Sequence, residues 1–149
     1  MPLTEIQDYL HQHIPLSVAL GVEVQHADSE SVRLRAPLLA NINHRETAFG
    51  GSVSAVAILS AWTLLHLRLR QEGYSCQLVI QRNSMEYRRP IADDFQAVAR
   101  LVEPNAWPRF QQTLSRRGKA RIRVLAVVES AGSEAGFFEG VFVALNAQA

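Results

Sequence analysis

Apolar residues recur along this chain first at helical spacing, then in alternation, then without interruption, and that succession predicts most of its elements. Ile6, Leu10 and Ile14 stand at helical intervals between Thr4, a suitable N-cap, and Pro15, a terminator, which predicts a short amphipathic helix over residues 4–13. From Gly21 the period falls to two. Val22 and Val24, then Val32, Leu34 and Ala36, alternate with polar residues on either side of Ala27-Asp28-Ser29-Glu30, the pattern of a hairpin. Residues 37–49 have no period and read as a loop. Residues 51 to about 71 form a helix-like run, uncharged as far as Leu67, that Gly73 ends. Val53, Val56, Ala57, Ile58, Leu59, Ala61, Trp62, Leu64 and Leu65 leave its first four turns without a polar stripe, so this helix is expected to be buried on every side.

Beyond it, residues 77–88 read as a long strand stopped by Pro90, and residues 95–102 alternate Phe95, Ala97, Ala99 and Leu101 against mostly polar partners; both are expected to be half-exposed. Residues 117–129 and 137–145 complete a set of six strands, and residues 103–107, with Pro104 and the following Pro108, read as a connecting loop. Strands with short connections folded around one helix predict a single α+β domain over residues 1–149. A membrane span is the rival for the central run, since residues 48–67 reach the roughly 20 residues a bilayer requires. Three serines, two glycines and amphipathic strands that need a core to cover argue against it.

Composition changes this picture little. The 149 residues are 48% hydrophobic with a formal net charge of +1, values of an ordinary soluble domain that make no global case for nucleic-acid binding. The N-terminus carries neither a basic start nor an apolar stretch, so a cytoplasmic location is expected. Cys76 is the single cysteine, which excludes an internal disulfide and a multi-cysteine zinc site. His11, His13, His26, His44 and His66 lack metal-site spacing, so no metal is expected.

Chemistry concentrates where the loop meets the central helix, in Asn43-His44-Arg45-Glu46-Thr47-Ala48-Phe49-Gly50-Gly51-Ser52. Exposed N–H groups at a helix start, with glycines that let a carbonyl approach the backbone, suit developing negative charge of the kind that thioester chemistry produces. Asn43 either donates to that charge or braces its own loop. Thr47 either bonds a substrate carboxylate or, the favoured role, caps the helix. A second constellation is basic: on a strand, Arg117, Lys119, Arg121 and Arg123 share one face opposite Ala120, Ile122 and Val124, and Arg82, Arg88 and Arg89 extend it. Such a stripe is either a solvated sheet face or a contact for phosphate or for an acidic surface.

The spacing Asn43-x-x-x-Thr47-x-Phe49-Gly50-Gly51-Ser52, the apolar helix after it, and Glu86-Tyr87-Arg88-Arg89-Pro90-Ile91 together resemble the hotdog-fold acyl-thioester proteins over nearly the whole chain. More narrowly, the chain resembles the small thioesterase-like proteins similar to the C-terminal domain of some bacterial acetyltransferase-like fusions, a group that includes malonyl-acyl-carrier-protein decarboxylases. The resemblance implies an antiparallel sheet wrapped around the central helix, and a homodimer or dimer of dimers. Its substrate would be a thioester of coenzyme A or acyl carrier protein, with pantetheine carried by the substrate and no separate cofactor. The candidate catalytic positions are Asn43, Thr47, Gly50 and Gly51, and the candidate substrate-binding ones are Phe49, Arg82, Ser84, Glu86, Arg88, Arg117 and Lys119.

The sequence departs from many such enzymes in one respect. It has no carboxylate from Gly50 to Arg70, and Phe49 stands where many relatives carry His. Hydrolysis would then fall to Glu46 or Glu86 as base, with His44 as a further acid or base to test. Decarboxylation of a malonyl thioester asks only that an enolate oxygen be stabilised, for which Asn43 and the N–H groups near Gly50 and Gly51 suffice, and Phe49 would help to desolvate the departing carboxylate. A non-catalytic acyl-thioester sensor is the third expectation.

Overall fold

The computed structural model describes residues 1–146. Helix α1 spans Leu3–His13, and its cap is Pro2, not Thr4, which lies inside the first turn. Pro2 offers no side-chain acceptor, but a proline has no N–H to orphan, and Glu5 supplies the negative charge that a helix start favours. Ile6 and Leu10 are buried, while Gln7 accepts from the Val24 N–H at 3.0 Å and the His11 ring bonds the Val22 carbonyl at 3.0 Å. One turn of helix, α2 (Leu16–Ala19), follows Pro15 and is too short to show a period in the sequence.

The hairpin forms as expected from β1 (Glu23–Ala27) and β2 (Val32–Ala36). Its turn is held by Asp28, whose carboxylate accepts the N–H groups of Glu30 and Ser31 at 2.8 Å each. The central helix α3 spans Gly50–Gln71, and four strands follow: β3 (Cys76–Tyr87), β4 (Phe95–Leu101), β5 (Lys119–Ser130) and β6 (Ser133–Asn146). All pairings are antiparallel in the order β1-β2-β4-β5-β6-β3, so β3 is an edge that pairs with β6 alone among the described residues. The sheet wraps α3 in the α+β hotdog arrangement that the resemblance implies.

Helix α3 is long and apolar enough to cross a membrane, yet Val53, Val56, Ala57, Ala61, Leu64 and Leu65 lie buried beneath the sheet. Each buried Val or Leu contributes about 1.5–3 kcal/mol, so the apolar run is explained by the core it fills. It is not buried all round, however. Ala55, Ile58, Trp62 and His66 recur every three or four residues and remain half-exposed, because β3 is the last strand on that side among the described residues. Strand β4 is also more enclosed than its alternation suggests, with Val98 buried along with Phe95, Ala97, Ala99 and Leu101.

The largest departure lies after Pro104. Where a connecting loop is expected over residues 103–107, a 3-10 turn, Pro104–Ala106, leads into an amphipathic helix, α4 (Trp107–Arg117). Trp107, Phe110 and Leu114 form its buried stripe, Pro108 sits in the first turn where its missing N–H costs nothing, and Gly118 ends it at φ 72°. Arg117 therefore belongs to the end of α4, and only Lys119, Arg121 and Arg123 share the strand face predicted for all four.

Candidate functional site

The loop before α3 is pinned at both ends by buried polar groups. Asn41 is only 3% exposed, and its amide donates to the Leu20 and Pro37 carbonyls at 2.9 and 2.8 Å. The Asn41 carbonyl accepts from the Phe49 N–H at 2.7 Å, and the Ala48 N–H donates to the Ile91 carbonyl at 2.8 Å. Asp94 closes the base, accepting from the Leu38 N–H at 2.8 Å and pairing with Arg35. The start of α3 is thus set against the hairpin and the β3–β4 connection.

Within that frame, Asn43 ties the loop tip to itself. Its Oδ1 accepts from the N–H groups of Arg45 at 2.8 Å and Thr47 at 3.2 Å, and its Nδ2 donates to Thr47 Oγ1 at 2.9 Å. One amide hydrogen of Asn43 carries no bond to another described residue. Thr47 is not the helix cap: the N-cap is Phe49, without a side-chain capping bond, and the Thr47 hydroxyl is instead engaged by Asn43. Glu46 and His44 are exposed on the tip, Glu46 with φ 63°.

The helix start is open. The first N–H of α3 with a partner in the helical ladder is that of Val53, bonded to the Phe49 carbonyl at 3.1 Å, so those of Gly50, Gly51 and Ser52 have no acceptor among the described residues. These three donors sit at the positive end of a 22-residue helix, whose dipole favours an anion there. A Cβ on Gly51 would stand 2.5 Å from the Phe49 ring, which lies against it and, being 57% exposed, would have to swing aside. A Cβ on Gly50 would meet only the Tyr87 ring, at 3.5 Å.

Tyr87, which its sequence position does not single out, also reaches the helix start. The register of β3 on β6, with its bulge between Ile80 and Arg82, turns Met85 and Tyr87 toward α3, where the Tyr87 hydroxyl donates to the Gly50 carbonyl at 2.9 Å. The same register turns Arg82, Ser84 and Glu86 to the opposite, outer face. There Glu86 lies 3.9 Å from Arg88, which also pairs with Glu134, and Arg82 shares a groove of about 290 Å³ with Arg121 and Arg123. The predicted residues therefore fall into two groups on opposite faces of the sheet: Asn43, Thr47, Phe49, Gly50 and Gly51 at the helix start, and Arg82, Ser84, Glu86, Arg88 and Lys119 outside it.

An apolar groove of about 440 Å³ runs along the half-exposed side of α3 beside β3, lined by Ala55, Ile58, Trp62, Leu78 and Ile80 among others. At its far end Trp62, His66 and Tyr9 stack, with ring centroids 4.7 Å apart at each step, and His13 adds to Tyr9 at 4.2 Å. Burial, then Arg70 and His13, push the His66 imidazole below its usual pKa, and burial pushes the nearby Cys76 thiol above its own. Neither group is at the helix start, and the thiol is held in its unreactive form.

Known proteins share the fold. A family model described as "Putative thioesterase (yiiD_Cterm)" matches residues 3–146. The chain belongs to this thioesterase family. Among solved structures, a Chlorobaculum tepidum protein of unknown function is 26% identical, with a TM-score of 0.91 over 97% of this chain and 94% of that one. A Shewanella oneidensis protein described as a putative thioesterase is 22% identical, with a TM-score of 0.84 over 96% of each chain. A Haemophilus influenzae thioesterase, 12% identical, has a TM-score of 0.78 over 98% of this chain and 92% of that one. Membership in the thioesterase family makes acyl thioesters the substrate class. Helix α3 itself carries no Asp or Glu from Gly50 to Gln71.

Proposed function

We propose that this protein is an acyl-thioester enzyme that decarboxylates malonyl-acyl carrier protein to the acetyl form, the starting step of fatty acid synthesis. The observation that carries the reading is the pairing of three unpartnered N–H groups at Gly50, Gly51 and Ser52 with a helix that has no Asp or Glu from Gly50 to Gln71. The malonyl thioester oxygen accepts from these donors and from the uncommitted hydrogen of Asn43 Nδ2. The bond between C2 and the carboxylate breaks, its electron pair forms the enolate whose charge rests on that oxygen, and CO₂ leaves. A proton from solvent then returns to C2, giving the acetyl thioester with its C–S bond intact. No water has to be activated, and a single oxyanion donor is worth about 3–4 kcal/mol in such a step. Phe49 lends an apolar wall beside the carboxylate.

Hydrolysis is the second reading, favoured by the family description. It needs a general base, and Glu86 faces away from the helix start beside Arg88, while Glu46 is exposed on the loop tip. In a homodimer, the edge strand β3 of two copies would pair, which would cover the groove along α3 and put each helix start beside the other subunit. The outer cations Arg82, Lys119 and Arg121 suit the acidic surface of a carrier protein or the phosphates of coenzyme A.

The test is intact-mass analysis of malonyl- and acetyl-acyl carrier protein after incubation with the protein. Loss of CO₂ with the acyl group still attached is expected. Free carrier thiol from either substrate would make the protein a hydrolase, and binding without change in either would make it a sensor.

A further inference from the structure

We propose that Tyr87 is the positioning residue of the oxyanion site, holding through its hydroxyl the peptide plane whose other end is the Gly51 N–H. The inference rests on the reading above for the reaction it affects, and on the geometry alone for the contact itself. Tyr87 ends β3, and its Oη–H reaches across to the Gly50 carbonyl oxygen at 2.9 Å. A peptide unit is planar and trans, so the Gly50 C=O and the Gly51 N–H are opposite ends of one rigid group. A donor fixed on the oxygen therefore fixes the direction of the N–H. By drawing charge toward the oxygen it also makes that N–H the stronger donor, since hydrogen bonds in a chain polarise one another.

Three features argue that the contact serves the site more than the core. Tyr87 is 55% exposed, so its ring contributes little burial and its hydroxyl could be satisfied by water. The Gly50 carbonyl is meanwhile an acceptor of the α3 ladder with a second lone pair to offer, and it needs no further partner to be satisfied. Two glycines in succession also leave this plane without the Cβ atoms that would restrict it, so a constraint from the neighbouring strand has an effect here that it would lack deeper in the helix. The residue thus couples the edge strand to the first donor pair of α3.

Tyr87→Phe keeps the ring and removes only the hydroxyl. With malonyl coenzyme A as the probe, kcat is expected to fall about 3- to 10-fold, the value of one neutral hydrogen bond, with KM and the melting temperature unchanged. In the ¹H–¹⁵N spectrum of the ligand-free protein the Gly51 amide proton should move upfield as its peptide loses polarisation. A variant with wild-type kcat, or with an unmoved Gly51 resonance, overturns the proposal. So does a loss confined to KM and melting temperature, which marks a structural prop. If the wild-type protein releases no CO₂ from any malonyl thioester, the reaction reading fails separately, and the Gly51 resonance still decides the role of Tyr87.

Discussion

Asn43 carries two duties that a substitution can separate. Its Oδ1 holds the loop tip through the Arg45 and Thr47 N–H groups, and its Nδ2 supplies a hydrogen to the proposed enolate. Asn43→Asp keeps the acceptor oxygen and removes the amide donor, while the Thr47 hydroxyl can reverse and donate to the new carboxylate. We expect a melting temperature close to wild type and a decarboxylation rate lowered about 10²- to 10³-fold, as for loss of one oxyanion donor. Turnover near wild type in that folded variant would confine Asn43 to bracing the loop. Residue types and spacing made the placing of Asn43, Gly50 and Gly51 where the loop meets α3 legible in the sequence. Tyr87 was not, because its part depends on which side of an edge strand it faces, and the bulge between Ile80 and Arg82 resets that parity. Thr47 was misread as a cap for a related reason: a hydroxyl three residues before the helix has a nearer partner in Asn43.

At the scale of elements, periodicity was a sound guide wherever one face of an element meets the core. It found α3, the hairpin and all six strands. It missed α4, whose apolar positions Trp107, Phe110 and Leu114 are spread through a polar segment behind two prolines, although Pro108, the final arginines and Gly118 were start and stop signals in plain view. Helix α4 is held by side chains no periodicity would show: the Trp107 indole donates to the Glu72 carboxylate at 3.0 Å, and the Arg68 guanidinium lies 4.2 Å over the Trp107 ring. The far end of α3 also carries a pH dependence. His66 is packed between Tyr9 and Trp62 and faces His13 and Arg70, so its folded pKa lies below the usual 6.5. The folded state then binds fewer protons than the unfolded one, and the contribution of His66 is complete above about pH 6.5 and is lost as pH falls below it. His66→Phe keeps an aromatic ring in the stack and removes the titration. The drop in urea midpoint between pH 7.5 and 5.5 should therefore be smaller in this variant than in wild type, and an equal drop would show that His66 titrates freely.

For the whole molecule, the sheet separates two surfaces that the sequence presented as one list of site residues. The inner side holds the α3 start, with Asn43, Phe49, Gly50, Gly51 and Tyr87 around free backbone donors. The outer side holds Lys119, Arg121, Arg123 and Arg82 in a basic half of the sheet face. Sequence alone could not tell them apart, because assignment to a face depends on strand register, and register depends on partners far along the chain. A substrate with an acyl thioester at one end and a phosphate or an acidic carrier at the other could engage both surfaces. The chemistry, however, is assigned to the inner one alone.

That assignment is open to direct measurement with a malonyl amide analogue of coenzyme A, in which nitrogen replaces the thioester sulfur and the acyl group stays intact. Titrated into ¹⁵N-labelled protein and compared with coenzyme A itself, the analogue should produce its additional amide shifts at Gly50, Gly51 and Ser52, with the Gly51 proton moving downfield as it takes up the carbonyl oxygen. Additional shifts confined to the outer strand positions around Arg82 and Arg121, with the α3 start unmoved, would contradict the account.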